Sequence, residues 1–210
     1  MMSANGTCRE CKRCVSLLLP PPLQGSIGLR LGTLAGKICE MIIRQASPDD
    51  ALRIATIHVE AWRVAYRGIV PDEYLRSLSV ERRHLGWRQI LEVAEESIWV
   101  AEDGERALGW ISASRSRDVD AAQSTGEIWA IYVDPVCWGK GVGRALFAAA
   151  EQDLRRGGFT EATLWVLKDN ERALRFYTSI GLVHDPCGDR VEHVGGKALV
   201  EVRLRKQLVQ

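Results

Sequence analysis

A single α/β domain with a mixed sheet is predicted from three observations. The hydrophobic period switches repeatedly between about 2 and 3.6 along residues 41–210, a β-rich run leads through a glycine loop into a helix, and the chain length holds one core. At roughly 150 residues per domain, 210 residues make one folded unit plus extra segments. The 46% hydrophobic and 26% charged content lies in the globular range and argues against disorder. A net charge of +1 provides no global basic field to recruit nucleic acid or anionic lipid, so no nucleic-acid partner is expected. The apolar run Val15–Leu19 stops at Pro20-Pro21-Pro22, well short of the ~18 to 20 residues needed to cross a bilayer, so no membrane partner is expected and the protein reads as cytoplasmic.

The chain divides near residue 40. Residues 1–40 hold four of the six cysteines, the triple proline and no sustained period, and read as a poorly ordered or non-native extension; residues 41–210 read as the domain. The extension carries five basic and two acidic residues, the remainder 23 and 25, so the extension alone makes the net charge positive. Met41 is a candidate initiator. Cys8, Cys11 and Cys14 have zinc-like local spacing, but a structural site wants four ligands and Cys39 stands alone. His58, His84, His184 and His193 show no ligand spacing either, so no metal is expected.

Within the domain, Ile42-Ile43 begins a strand, and Ser47-Pro48-Asp49-Asp50 supplies an N-cap, a proline for the first turn and helix-starting acids. Ala51, Ile54, Ala55, His58, Trp62 and Tyr66 then share one helical face until Arg67-Gly68. Pro71 starts a second helix and Val80–Val93 a third. Ser97–Glu102 and Arg106–Ser114 form a hairpin, and residues 115–125 a polar loop. Glu127–Val133 is a strand, and Val142, Leu146, Ala150 and Leu154 mark a helix closed by Gly157-Gly158. Thr160–Val166 is a strand, Asn170–Ser179 a helix, and Leu182–Asp185 with Ala198–Leu204 two closing strands, which are candidates for self-association into a homodimer.

The chemistry centres on Asp134-Pro135-Val136-Cys137-Trp138-Gly139-Lys140-Gly141-Val142-Gly143-Arg144. Three alternate glycines remove side chains at a helix start and bare successive backbone N–H groups, which suits an anion. Each hydrogen bond to a charged acceptor contributes ~1.5 to 3 kcal/mol, against ~0.3 to 1 for helix-end placement, so several amides outweigh the Lys140 charge. A dinucleotide fingerprint fails because the sixth place is Arg144 or Leu146, and a Walker loop fails because Gly139-Lys140 is followed by Gly141.

These residues resemble the GNAT superfamily of acyl-CoA-dependent N-acyltransferases. The signature of Arg or Gln, two residues, Gly, one residue, then Gly or Ala is met by Trp138-Gly139-Lys140-Gly141-Val142-Gly143 except at Trp138. Downstream, Asn170 through Leu182 resembles the motif N-x-x-A-x-x-F-Y-x-x-x-G-F with leucine in the last place. The resemblance runs from about Ile42 to Leu204. It implies a mostly antiparallel sheet of about six or seven strands flanked by helices, splayed into a V between its fourth and fifth strands. The implied co-substrate is acetyl-CoA. Main-chain groups of Ile131, Tyr132 and Val133 would hold its pantetheine arm, Trp138 would take the cofactor-binding place that Arg or Gln holds in the family, Gly139, Lys140, Gly141, Val142, Gly143 and Arg144 would bind its pyrophosphate, and Asn170 would bond near its middle. Tyr177 is implied as general acid. The expected reaction is direct attack by a primary amine of a small molecule or peptide on the thioester; the alternative is a catalytically silent acyl-CoA-binding regulatory module, motivated by Trp138.

Proton arithmetic adds a base. A lysine-like amine of pKa ~10.4 is neutral in about one molecule in a few thousand at pH 7, so a proton must be removed. Glu127, on the strand leading to the loop, is the candidate. Trp62 and Tyr66, one helical turn apart, are candidates to line the acceptor pocket, and Arg63 and Arg67 on another face make an acidic acceptor conceivable. Cys137 has no His/Asp pattern to support an acyl-enzyme, and Cys187 reads as an ordinary thiol.

Overall fold

A computed structural model describes residues 27–29, 41–93, 97–104 and 106–208. Cys8, Cys11, Cys14, Cys39, the Val15–Leu19 run and the triple proline lie outside the described residues, as does the side chain of Cys187. The chain runs β1 (Ile27–Leu29), β2 (Met41–Gln45), α1 (Ala51–Ala65), α2 (Asp72–Ser77), α3 (Val80–Val93), β3 (Ser97–Glu102), β4 (Ala107–Arg115), β5 (Thr125–Val133), α4 (Val142–Arg156), β6 (Glu161–Leu167), α5 (Glu171–Ser179), β7 (Val183–Val194) and β8 (Lys197–Gln207).

One sheet of eight strands results, in the order β1-β2-β3-β4-β5-β6-β8-β7. Neighbours are antiparallel except β5 and β6, which are parallel and are joined, as parallel strands must be, by a crossover helix, α4. Counted from β2 these are the fourth and fifth strands, as expected. The strand count exceeds the expected six or seven because Ile27–Leu29 pairs with Met41–Ile43 at the edge. Such a short strand carries too few side chains for a readable period.

Both faces of the sheet are covered, and β3 shows why its sequence is an unbroken apolar run. Trp99 and Ala101 face a cluster with Leu146, Phe147 and Ala150 of α4, whereas Ile98 and Val100 face Ile54, Ile57, Trp87 and Leu91 of α1 and α3. Beyond them, Val59 of α1 and Leu75 of α2 meet Leu167 and Leu199, so the C-terminal half of α1 lies over β6 and β8. Among the described residues no helix is long and apolar enough to cross a membrane.

Two local expectations shift. The residues after Ser47 form a 3-10 turn, Pro48–Asp50, before α1 begins, and the Asp50 carboxylate accepts from the Ser47 backbone N–H at 2.7 Å and from Arg44. The closing strands are longer than expected, because Arg190 and Glu192 break the apolar alternation and Gly195-Gly196, both at positive φ, make the hairpin turn.

His58 is packed in the α1 side of the core. Its ring stacks on Tyr132 with centroids 4.6 Å apart, and neither ring nitrogen has a hydrogen-bond partner. Burial, reinforced by the Arg83 charge, pushes its pKa well below the usual value, so it folds neutral. The unfolded chain therefore binds a proton at His58 that the folded one does not once pH falls below ~6.5, and this group lowers stability by up to ~1.4 kcal/mol per pH unit there. Denaturant midpoints measured at pH 7.5, 6.5 and 5.5 should fall with acidification, and His58→Gln should lose less over the same interval.

Candidate active site

The cleft begins where a strand pairing ends. β5 and β6 are in register only at Thr125–Glu127 against Glu161–Thr163. Immediately afterwards, Ser112 of β4 opposes Ala130 while Ala113 opposes Ile128, so Trp129 is an extra residue, a β-bulge that bends β5. The strand's first four residues are buried and Trp129 to Val133 are half-buried, because the latter line the opening. The cavity between the splayed strands measures about 710 Å³.

Hydrogen-bond parity shows which backbone groups face it. The Asp134 N–H donates to the Leu108 carbonyl at 2.8 Å, and Tyr132 sits opposite Trp110 two residues earlier, so these two residues direct their main-chain groups to β4. Ile131 and Val133 must then direct theirs toward the cleft. The Val133 carbonyl accepts from Trp138 Nε1 at 2.8 Å, which leaves the Val133 N–H and both Ile131 groups along the open edge. Tyr132 enters the cavity wall by its ring rather than its backbone: its hydroxyl accepts from Trp62 Nε1 at 2.8 Å.

At the lip, the Asp134 side chain accepts from the Val136 N–H and starts a 3-10 turn, Pro135–Cys137. Gly139 (φ 76°) and Gly141 (φ 85°) follow in the left-handed region, which costs other residues ~1 to 2 kcal/mol. Gly141 is the N-cap of α4 and has no side chain to satisfy the first helical N–H groups; the helix's own bonding starts with Ala145 N–H to the Gly141 carbonyl. The amides of Val142, Gly143 and Arg144 are therefore free of helical and capping partners. Gly143 serves packing instead, since a Cβ there would stand 3.3 Å from the Phe176 ring. Arg144, Arg172 and Arg175 line this end, with the Arg172 guanidinium 3.8 Å over the Trp138 ring; Lys140 is exposed and does not line the cavity. A helix start, bare amides and three guanidiniums fit a diphosphate, and the free edge of β5 fits an amide-bearing arm.

α5 brings two further residues. Asn170 is buried at its N-cap, where Oδ1 accepts from the Ala173 N–H at 3.1 Å, and it lines the cavity. Tyr177 is 9% exposed, and burial, followed by the proximity of Tyr132, raises its phenol pKa. Tyr66, whose phenol is raised well above the usual value by burial and by Tyr132 and Tyr177, faces them from the end of α1, 4.7 Å from the Trp62 ring. Three phenols thus converge at the middle of the cleft.

Glu127 is 3% exposed and not on a solvent face. Its Oε2 accepts from the Arg117 backbone N–H at 2.9 Å and its Oε1 from Arg117 Nη2 at 2.6 Å. Cys137 is a buried free thiol whose pKa is raised by burial and then by Asp134, which keeps it protonated. Arg63 does not reach the cavity: its guanidinium donates to the Leu75 and Leu78 carbonyls at the end of α2. Arg117, Trp129, Trp165, Arg190 and Glu201, which complete the far wall, went unnoticed in the sequence. Nothing local marks them, because they come from five separate segments, the loop after β4 and strands β5, β6, β7 and β8, which only the fold brings together.

A helix start ready for a diphosphate beside a strand edge ready for an amide-bearing arm is what an acyl-CoA transferase needs. The chain belongs to the acetyltransferase (GNAT) family, whose model matches residues 54–182, and it is an acyltransferase. It is 31% identical over 129 residues to the uncharacterized N-acetyltransferase YuaI of Bacillus subtilis (strain 168), covering 61% of this chain and 72% of that one. It is 30% identical over 149 residues to an uncharacterized N-acetyltransferase of Archaeoglobus fulgidus, covering 70% and 97%. The fold matches that of yncA from Salmonella typhimurium, solved with its cofactor acetyl-CoA, at a TM-score of 0.61 and 23% identity over 81% of this chain and 95% of that one.

Gly141→Ala should lower stability by ~1 kcal/mol through left-handed strain and weaken acetyl-CoA binding several-fold. Denaturant titration and calorimetry with acetyl-CoA measure the two effects separately.

Proposed function

We propose that the protein transfers the acetyl group of acetyl-CoA to a primary amine of a small molecule or peptide by direct nucleophilic attack. The observation that carries this reading is the meeting, in one cleft, of the unpartnered amides at the start of α4, the free edge of β5 and the buried phenol of Tyr177. The acetyl-CoA bound to the Salmonella relative supports the same co-substrate. Gly139 to Arg144 would receive the pyrophosphate, Ile131 and Val133 the pantetheine amides, and the side-chain NH2 of Asn170, whose oxygen is engaged as a cap, would donate to the arm. Trp138 stands against the lip rather than in the cradle, tied to the Val133 carbonyl and Arg172, so the substitution that motivated a silent binding module does not obstruct the amides.

The bound thioester supplies an electrophilic carbonyl and a thiolate leaving group. Tyr177 would donate a hydrogen bond to the departing sulfur. In water, full proton transfer from a phenol (~10) to a Cys-like thiolate (~8.5) is uphill by ~2 kcal/mol, and the raised phenol pKa makes it steeper. Tyr177 thus acts by holding its proton toward the sulfur rather than releasing it. Glu127, held by Arg117, orients a water that relays the amine's proton to solvent, and its carboxylate steadies the positive charge growing on nitrogen. Trp62 and Tyr66 wall the acceptor side.

Thiol release from acetyl-CoA over a panel of amines tests the reading, and binding of acetyl-CoA with no turnover on any amine would overturn it. Tyr177→Phe should lower kcat by ~10- to 100-fold with the KM for acetyl-CoA within about three-fold of wild type. Glu127→Gln should lower kcat by a similar ~10- to 100-fold and leave the dissociation constant of acetyl-CoA unchanged by calorimetry.

A further inference from the structure

The cavity extends past the three phenols to a wall that the acetyl transfer itself does not use, formed by Trp165, Arg190, Val194 and Glu201. We infer that this wall binds a second cationic group on the acceptor, so that the preferred substrate is a small aliphatic diamine rather than a monoamine or an amino acid. This rests on the proposed amine acetylation and specifies its substrate.

Glu201, on β8, gives one carboxylate oxygen to Arg190, whose Nε donates to Oε2 at 2.8 Å. Its Oε1 has no hydrogen-bond partner among the described residues, and the side chain keeps 19% exposure. Glu201 and Tyr66 line the same cavity, so the carboxylate shares the acceptor side of the cleft.

The surroundings reinforce one sign of charge. Arg190 lies 3.9 Å over the Trp165 ring and 3.9 Å from Asp118. Arg203 is shared among Asp185, Asp120 and Asp118 at 2.9, 2.8 and 3.3 Å. Two guanidiniums therefore serve four carboxylates, counting Glu201, while Glu127 and Arg117 cancel. The opposite end of the cavity holds Arg144, Arg172 and Arg175 against Glu171. The cleft is polarised, basic where phosphates enter and, with Asp118, Asp120 and Asp185 behind its wall rather than on it, balanced where the acceptor enters apart from the unshared oxygen of Glu201. A reacting amine paired directly with Glu201 would be held protonated and unreactive, so the ammonium that Glu201 attracts has to be the other end of the molecule.

The test is thiol release by the full chain at saturating acetyl-CoA, comparing pentylamine, 1,5-diaminopentane and 5-aminopentanoate, with lysine-containing peptides as a further arm. Wild type is expected to show a kcat/KM ~10-fold or more higher for the diamine than for the monoamine, as one charge-assisted hydrogen bond allows, and lowest for the aminopentanoate. Glu201→Gln should bring the diamine-to-monoamine ratio near one, whatever it does to both rates. Raising NaCl from 50 to 500 mM in wild type should shrink the same ratio, a readout that needs no variant. Equal use of monoamine and diamine, a diamine preference that survives Glu201→Gln, or preference for the peptides over the free diamine overturns the assignment while leaving acetylation intact. Failure to turn over any amine removes the acetylation reading and this one together.

Discussion

The parallel pairing of β5 and β6 lasts three residues because the chain inserts Trp129 as a bulge directly after it. Had β5 continued straight, Ile131 and Val133 would have bonded to β6 and the sheet would have closed over. The bend instead leaves a strand edge bare inside the molecule, where the main chain demands partners. One demand is met internally by Trp138; the remainder are polar groups at a fixed spacing, and an extended ligand with amides of its own satisfies them. The binding site is thus an interruption of the secondary structure that builds the rest of the domain.

The glycine loop follows from the same geometry. A strand that ends at the lip of an opening must turn sharply into a crossover helix, and the left-handed residues Gly139 and Gly141 make that turn. Because the helix starts on a glycine, its first amides have no side-chain cap, so the crossover that a parallel pair requires also creates the anion site. Arginines from α4 and α5 surround it, while the other end is walled by Arg190 of β7 and Glu201 of β8, with the carboxylates of Asp118 and Asp185 behind them. The two ends differ in charge because they are supplied by different layers: helix ends at one side, strand faces and loops at the other.

Much of this was readable in the order of residues. The glycine spacing, Asn170 at a helix start, Tyr177 on its helix and the α1 stripe are local patterns, and most elements lie within a few residues of expectation because both faces of the sheet repeat their apolar period; the exceptions are β1, which has no readable period, and β7, which continues from the expected Asp185 to Val194. The bulge was not readable, since Trp129 continues a β-rich run and only its mismatch against Ser112 and Ala113 reveals it. Glu127 looked like a strand residue able to act alone; that Arg117 clamps it depends on a loop folding back. His58 sat on an apolar stripe without any mark that its ring nitrogens would go unpartnered.

What the sequence by itself determined is the set of elements and the backbone-driven half of the cleft, because glycine conformations, caps and periodicity act within a few residues of one another. The acceptor half was decided by tertiary structure alone. Trp165, Arg190 and Glu201 meet through the register of β6, β8 and β7, and the charge they present is a sum over segments tens of residues apart, which no local pattern encodes.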